Sequence, residues 1–241
     1  MDLKLGLMTG IDLPIEGCQL IVHQPTIKDI SYLGEERFFT GVQTICLYKS
    51  MFTSEDKGVL DDVTNFQIFM TIVKDKEMND KKIAVEQLLE IIFPQYKVLF
   101  TPMSMIFQNE KGIITVDQNN FEEMQKVLRM IFCAQTGPMD QQAFNPADAK
   151  AKEIAEKLMR GRQRVAAQKT SGQGSVLSQY ISSLSIGAGF LISDLVNLTM
   201  YQLYDLIERY SLYTNWDIDL RIRLAGGKPD SQAEDWMKNI H

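Results

Sequence analysis

Apolar residues recur at helical spacing through most of this 241-residue chain, and one stretch breaks the rhythm. Between Tyr96 and Val116 the period changes. Tyr96–Phe100, Met105–Gln108 and Gly112–Val116 are short apolar or β-branched runs, with Pro102 and Lys111-Gly112 between them. Branched side chains suit a pleated surface and lose rotamer freedom in a helix, so such runs favour strands. They predict a small antiparallel sheet within residues 96–116, with residues 109–112 (Asn-Glu-Lys-Gly) as its hairpin turn. The expected fold class is therefore α+β and mainly α-helical: a helical N-terminal domain with a small sheet, then a helical C-terminal unit.

The helices follow from spacing and punctuation. Ile27, Ile30 and Leu33 share one face of a short helix that Gly34 stops. Glu35-Glu36 suits the start of the next, because acids favour the positive end of the helix dipole. That helix should run to about Met51 on a stripe of Phe38, Phe39, Val42, Ile45 and Cys46, with Gly41 as its weak point. Thr64–Lys74 is expected next, then Asp80–Phe93, capped by Asn79 and buried along Ile83, Leu88, Leu89 and Ile92. After the sheet, Phe121–Ala134 carries Phe121, Met124, Leu128, Ile131 and Phe132 inward. Residues 1–18 show no period and read as an irregular arm, and Gln19–His23 reads as one strand.

Beyond a loop at 138–145, Asn145-Pro146 opens a polar helix, Pro146–Gln168. Lys169–Ser175 has linker composition. The expected division is 1–168, a linker at 169–175, and a helical unit at 176–241. Within that unit, Val176–Leu184 is followed by a glycine-containing bend and a long helix from Thr199 to Leu224. Gly226-Gly227 and Pro229 stop it, and Ser231 with Glu234 forms a capping box before Trp236.

The chemistry-bearing residues are sparse. The chain has two histidines, His23 and His241, and three cysteines, Cys18, Cys46 and Cys133, without metal-ligand or disulfide spacing. No HExxH, phosphate loop or GxSxG motif is present. The expectation is therefore a protein with no catalytic residue, no metal site and no cofactor. The cysteines read as reduced thiols in an intracellular protein. No signal peptide and no membrane span is expected. A net charge of −6 disfavours non-specific nucleic-acid binding over the whole surface.

Two features suggest binding instead. Residues 150–169 hold seven Lys/Arg against two Glu, and Arg160, Arg162 and Arg164 could reach phosphates or an acidic partner. A solvated helix with cations toward its C-terminus explains the same run. Separately, Tyr201, Tyr204, Tyr210, Tyr213 and Trp216 fall within sixteen residues. Tyr and Trp favour half-buried and shared surfaces, whether with a partner or with the first domain.

The segment Asn197–His241 resembles the end of small morphogenesis proteins from the tail gene clusters of tailed bacteriophages, such as tail-assembly chaperones and baseplate-assembly proteins. The residues that carry this are the Tyr-rich helix Tyr201–Arg209, the break Ala225–Gly227 and the closing Asp235-Trp236. Gln24–Phe39 resembles the opening motif of the same proteins, whereas residues 50–175 match no motif. The resemblance implies a non-enzymatic role in tail or baseplate assembly by protein–protein contact. Its partners would be other tail proteins, such as a tape-measure or hub component, or a second copy, in the host bacterial cytoplasm or the virion tail. The partner-contact candidates are Ile27, Ile30, Phe38, Phe39, Tyr201, Tyr204, Tyr210, Tyr213, Trp216 and Trp236. The alternatives are a structural subunit of the tail or baseplate, and a nucleic-acid-binding accessory protein using 150–169.

Overall fold

The computed structural model describes residues 2–48, 63–134, 174–228 and Met237. The fold is α+β and mainly helical, with two small antiparallel sheets among the described residues.

Residues 1–18 are not an irregular arm. Asp2 caps helix α1 (Leu3–Thr9) by accepting from the Leu5 N–H, and Gly10 ends it at φ 70°. Strand β1 (Leu13–Ile15) then pairs antiparallel with β2 (Leu20–Val22), Leu13 opposite Val22. Leu13, Ile15, Leu20 and Val22 all point into the core.

Thr26 opens α2 (Ile27–Leu33) with a reciprocal capping box: its hydroxyl takes the Asp29 N–H, and the Asp29 carboxylate takes the Thr26 N–H. Helix α3 spans Glu35–Ile45 and stops well short of Met51. The reason lies far along the chain, in α6 (Phe121–Ile131). Gln125 donates to the Ile45 and Leu47 carbonyls at 2.8 and 3.1 Å, and Arg129 donates to the Cys46 carbonyl. The last carbonyls of a helix lack internal partners, so these two side chains finish α3. The Arg129 guanidinium also stacks on the Tyr48 ring, 3.5 Å from its centroid.

Helix α4 (Asn65–Lys74) is capped by Thr64 in a second capping box. Asp75 then caps a 3₁₀ turn, Lys76–Met78, that runs directly into α5 (Asn79–Ile92). Asn79 is therefore inside the helical run and not its N-cap. Ile83 is exposed, because the face turned to α3 is Ala84, Val85, Leu88, Leu89 and Ile92. Gly41 is required where α3 meets α5. A Cβ there would lie 2.7 Å from the Ala84 carbonyl oxygen and 3.1 Å from Leu88 Cβ.

The expected sheet is present as β3 (Lys97–Phe100), β4 (Met105–Asn109) and β5 (Gly112–Val116), in the order β3-β4-β5. Asn109 closes the hairpin by accepting from the Lys111 and Gly112 N–H groups. Met105, Phe107 and Val116 bury the inner face, with the Phe107 ring 4.9 Å from that of Phe93. On α6, Phe121, Met124, Leu128 and Ile131 are buried, as is Phe132 just after it. Phe121 stacks on Phe69 and meets Phe66 edge-on.

The C-terminal elements are α7 (Val176–Ala188), α8 (Ile192–Leu195) and α9 (Met200–Leu224). Helix α7 runs four residues past Leu184, through Gly187, before Gly189 ends it. Leu177, Leu184, Leu195, Met200, Tyr201 and Leu203 belong to the same apolar cluster as the N-terminal elements. Backbone bonds add to this joint. The Ile27 and Lys28 N–H groups donate to the Leu198 and Val196 carbonyls at 2.9 Å, and Thr26 bridges Thr199. The Glu35 carboxylate accepts the Val176 N–H at the start of α7. Gln202 closes the capping box on Thr199 and also donates to the Met8 carbonyl.

Candidate functional site

The partner-contact candidates singled out in the sequence divide into two groups. Ile27, Ile30, Phe38 and Tyr201 are buried, and Phe39, Tyr204 and Tyr210 are partly buried against the core. All seven belong to, or pack against, one apolar cluster shared by the N- and C-terminal elements. The four buried side chains turn their apolar surface to the core. Tyr204 meets Tyr180 of α7 edge-on at 5.6 Å, and burial pushes its phenol pKa upward. Tyr213 and Trp216 are 45% and 36% exposed, with rings 6.1 Å apart. Trp236, Arg160, Arg162 and Arg164 lie outside the described residues, as do the helix at 146–168 and the linker at 169–173.

Helix α9 holds its 25 residues over about 37 Å at the usual rise. Its buried residues are Met200, Tyr201, Leu203 and Asp205, all in the first two turns. Arg209 pairs with Asp205 at 2.9 Å near the end of that buried part. Beyond it, Ile218, Leu220, Ile222 and Leu224 are all exposed. The pattern Trp216–Leu224 explains this: apolar and charged residues alternate strictly. On a helix, apolar residues two apart fall on different faces, so one contact cannot cover them all.

A second exposed group stands at the end of α7. Ile186, Leu191 and Ile192 are 89%, 66% and 57% exposed, and Phe190 is 41% exposed. Gly187 lies against the Tyr210 ring, so this apolar knuckle sits beside α9 where the helix leaves its buried part. The candidate surface is the knuckle with the distal turns of α9. Exposed apolar residues scattered singly are ordinary, whereas contiguous exposed groups are characteristic of interaction sites. The aliphatic members carry no individual chemical signature in the sequence, unlike the tyrosines and Trp216. The alternation over Trp216–Leu224 was the signal that could have found them.

Elsewhere, a shallow cavity of about 450 Å³ is lined by His23, Asp29, Tyr32, Gln87, Glu90 and Pro94, among others. His23 faces Asp12 at 2.9 Å, and the Asp29 carboxylate is held by the Thr26 N–H and hydroxyl. Both groups already have local structural partners. Among the described residues no group of three or more His, Cys, Asp or Glu could hold a metal ion. No described helix is long and apolar enough to cross a membrane.

Residues 168–241 match the model of a family described as the YomV second domain. The match covers less than half of the chain and takes in all of α7, α8 and α9, and so the whole candidate surface. No curated protein and no solved structure shows significant similarity to the chain.

Proposed function

We propose that this chain is a non-enzymatic assembly protein of a phage tail or baseplate, acting through protein–protein contacts at its C-terminal end. One observation carries the reading: the exposed apolar surface of the α7–α8 knuckle and distal α9 lies entirely within the segment that matches a family model. Apolar groups of this extent are unfavourable in water and become favourable when a partner removes them from it. The N-terminal elements act as the base from which α9 projects. The partner is another tail or baseplate protein, such as a tape-measure or hub component, and the site of action is the host cytoplasm during assembly.

The test is affinity purification of the tagged chain from cells in which the phage is assembling, beside a Leu220→Asp/Leu224→Asp variant. A tail or baseplate protein should accompany the native chain and be lost from the variant. If neither sample carries such a protein at low or high salt, the reading fails.

A further inference from the structure

We propose that the distal turns of α9 pair with the same turns of a second copy of this chain, antiparallel, about a two-fold axis near Leu220. The inference rests on the contact function above and names one partner for it. Trp216–Leu224 reads Trp-Asp-Ile-Asp-Leu-Arg-Ile-Arg-Leu, with the acids first and the bases last. Residues three or four apart share a helix face, so Tyr213, Trp216, Leu220 and Leu224 form one line. Leu220 and Leu224 are 38% and 79% exposed. At helical spacing, Asp217 and Arg221 flank that line on one side and Asp219 and Arg223 on the other. Each flank therefore carries one acid toward the N-terminus and one base toward the C-terminus.

This order is complementary to itself only when reversed. In an antiparallel pair each flank faces the same flank of the other copy, running the opposite way. Asp217, whose side chain is 29% exposed, then meets Arg221 of the second copy, whereas Asp219, 14% exposed, stays with Arg223 of its own chain. Along the line, Leu220 meets Leu220, and Trp216 meets Leu224. A parallel pair would set each flank against the opposite one, Asp217 near Asp219 and Arg221 near Arg223 of the second copy, which is repulsive. Within one chain the same charges already pair, Asp217 with Arg221 at 2.8 Å and Asp219 with Arg223 at 3.0 Å. Arg221 is held through Nε, and its guanidinium has further N–H donors for the Asp217 carboxylate of the second copy. The contact is isologous, as a two-fold dimer requires. Nine helical residues span only about 13 Å, less than a standard interface needs, so the dimer is weak and concentration-dependent.

Sedimentation velocity on the full chain over a range of concentrations tests this, with circular dichroism to check helix content. The native chain should pass from monomer to dimer, and Leu220→Asp should stay monomeric. Asp217→Arg and Arg221→Asp should each weaken the dimer about tenfold or more. An equimolar mixture of the two should recover association, and so should the double variant Asp217→Arg/Arg221→Asp. A native chain that stays monomeric at millimolar concentration overturns the pairing, as does a dimer indifferent to Leu220→Asp. Failure of both the mixture and the double variant to recover association also overturns it. The two proposals separate cleanly. A monomeric chain that still captures tail proteins through Leu220 removes only the second copy, and a dimer that captures none removes only the tail contact.

Discussion

Gly187 and Tyr210 are in direct contact, and a Cβ placed on the glycine would overlap the tyrosine hydroxyl. The glycine lies inside α7, where alanine would ordinarily stabilise a helix by about 1 kcal/mol. Here the added methyl has no room. Gly187→Ala should therefore destabilise by about 1–3 kcal/mol in thermal unfolding, as overpacking does. Combining it with Tyr210→Phe should recover part of the loss, since the hydroxyl oxygen is the nearest obstacle. A raised Tm for Gly187→Ala alone would contradict the packing of α7 on α9.

Arg129 is buried, donating to the Cys46 carbonyl and lying over the Tyr48 ring. Removing it leaves the end of α3 with an unpaired carbonyl. Arg129→Ala should cost about 2–4 kcal/mol, read as a lower denaturant midpoint at unchanged slope. Gln125→Ala should act in the same direction, because the Ile45 and Leu47 carbonyls lose their donor. Unchanged midpoints in both variants would mean that α6 does not terminate α3.

Much of the fold could be read from local residues, and the failures share a cause. The sheet was legible because Pro102 and Lys111-Gly112 punctuate its strands, and α6 because its buried residues recur over three turns. The end of α3 was not legible, since Gln125 and Arg129 stop it from some 80 residues away. Helix α1 has seven residues and β1 three, too few to display a period. Ile83 looked like core, yet Ala84 and Val85 take the face toward α3, where Gly41 lets the backbones come close. At the candidate surface, composition pointed to tyrosines that mostly turn inward. The residues left outside are aliphatic and carry no individual chemical signature.

Gln202 ties the start of α9 to the end of α1. Its carbonyl oxygen accepts the Thr199 N–H at 2.8 Å, and its amide nitrogen donates to the Met8 carbonyl at 2.7 Å. Gln202→Glu keeps the acceptor and loses the donor, so it should cost about 1 kcal/mol, and Gln202→Ala should cost more. Hydrogen exchange of the α1 amides should quicken in both. Equal stability of the Glu and native chains would remove the Met8 contact from the account.

The cysteines predict how stability changes with pH. Burial pushes the Cys46 and Cys133 thiols up to about 12, whereas unfolded thiols ionise near ~8.5. Groups with a raised folded pKa contribute stability that is complete below the unfolded value. As pH climbs above ~8.5 the unfolded chain releases these protons first, so stability falls toward about 12. Denaturant midpoints should be level through neutral pH with respect to these thiols and decline in alkali. Cys46→Ala should flatten that decline, and an identical alkaline profile in the variant would refute the assignment.

The backbone bonds from Ile27 and Lys28 to Leu198 and Val196 have a consequence for synthesis of the chain. The donors leave the ribosome early, and the acceptors follow about 170 residues later. Until then the start of α2 has its capping box but not its neighbour, and Ile27 lacks part of its cover. A nascent chain halted before Leu198 would therefore expose the seam that the folded protein hides, and the folding of α2 is completed by residues translated about 170 positions after it.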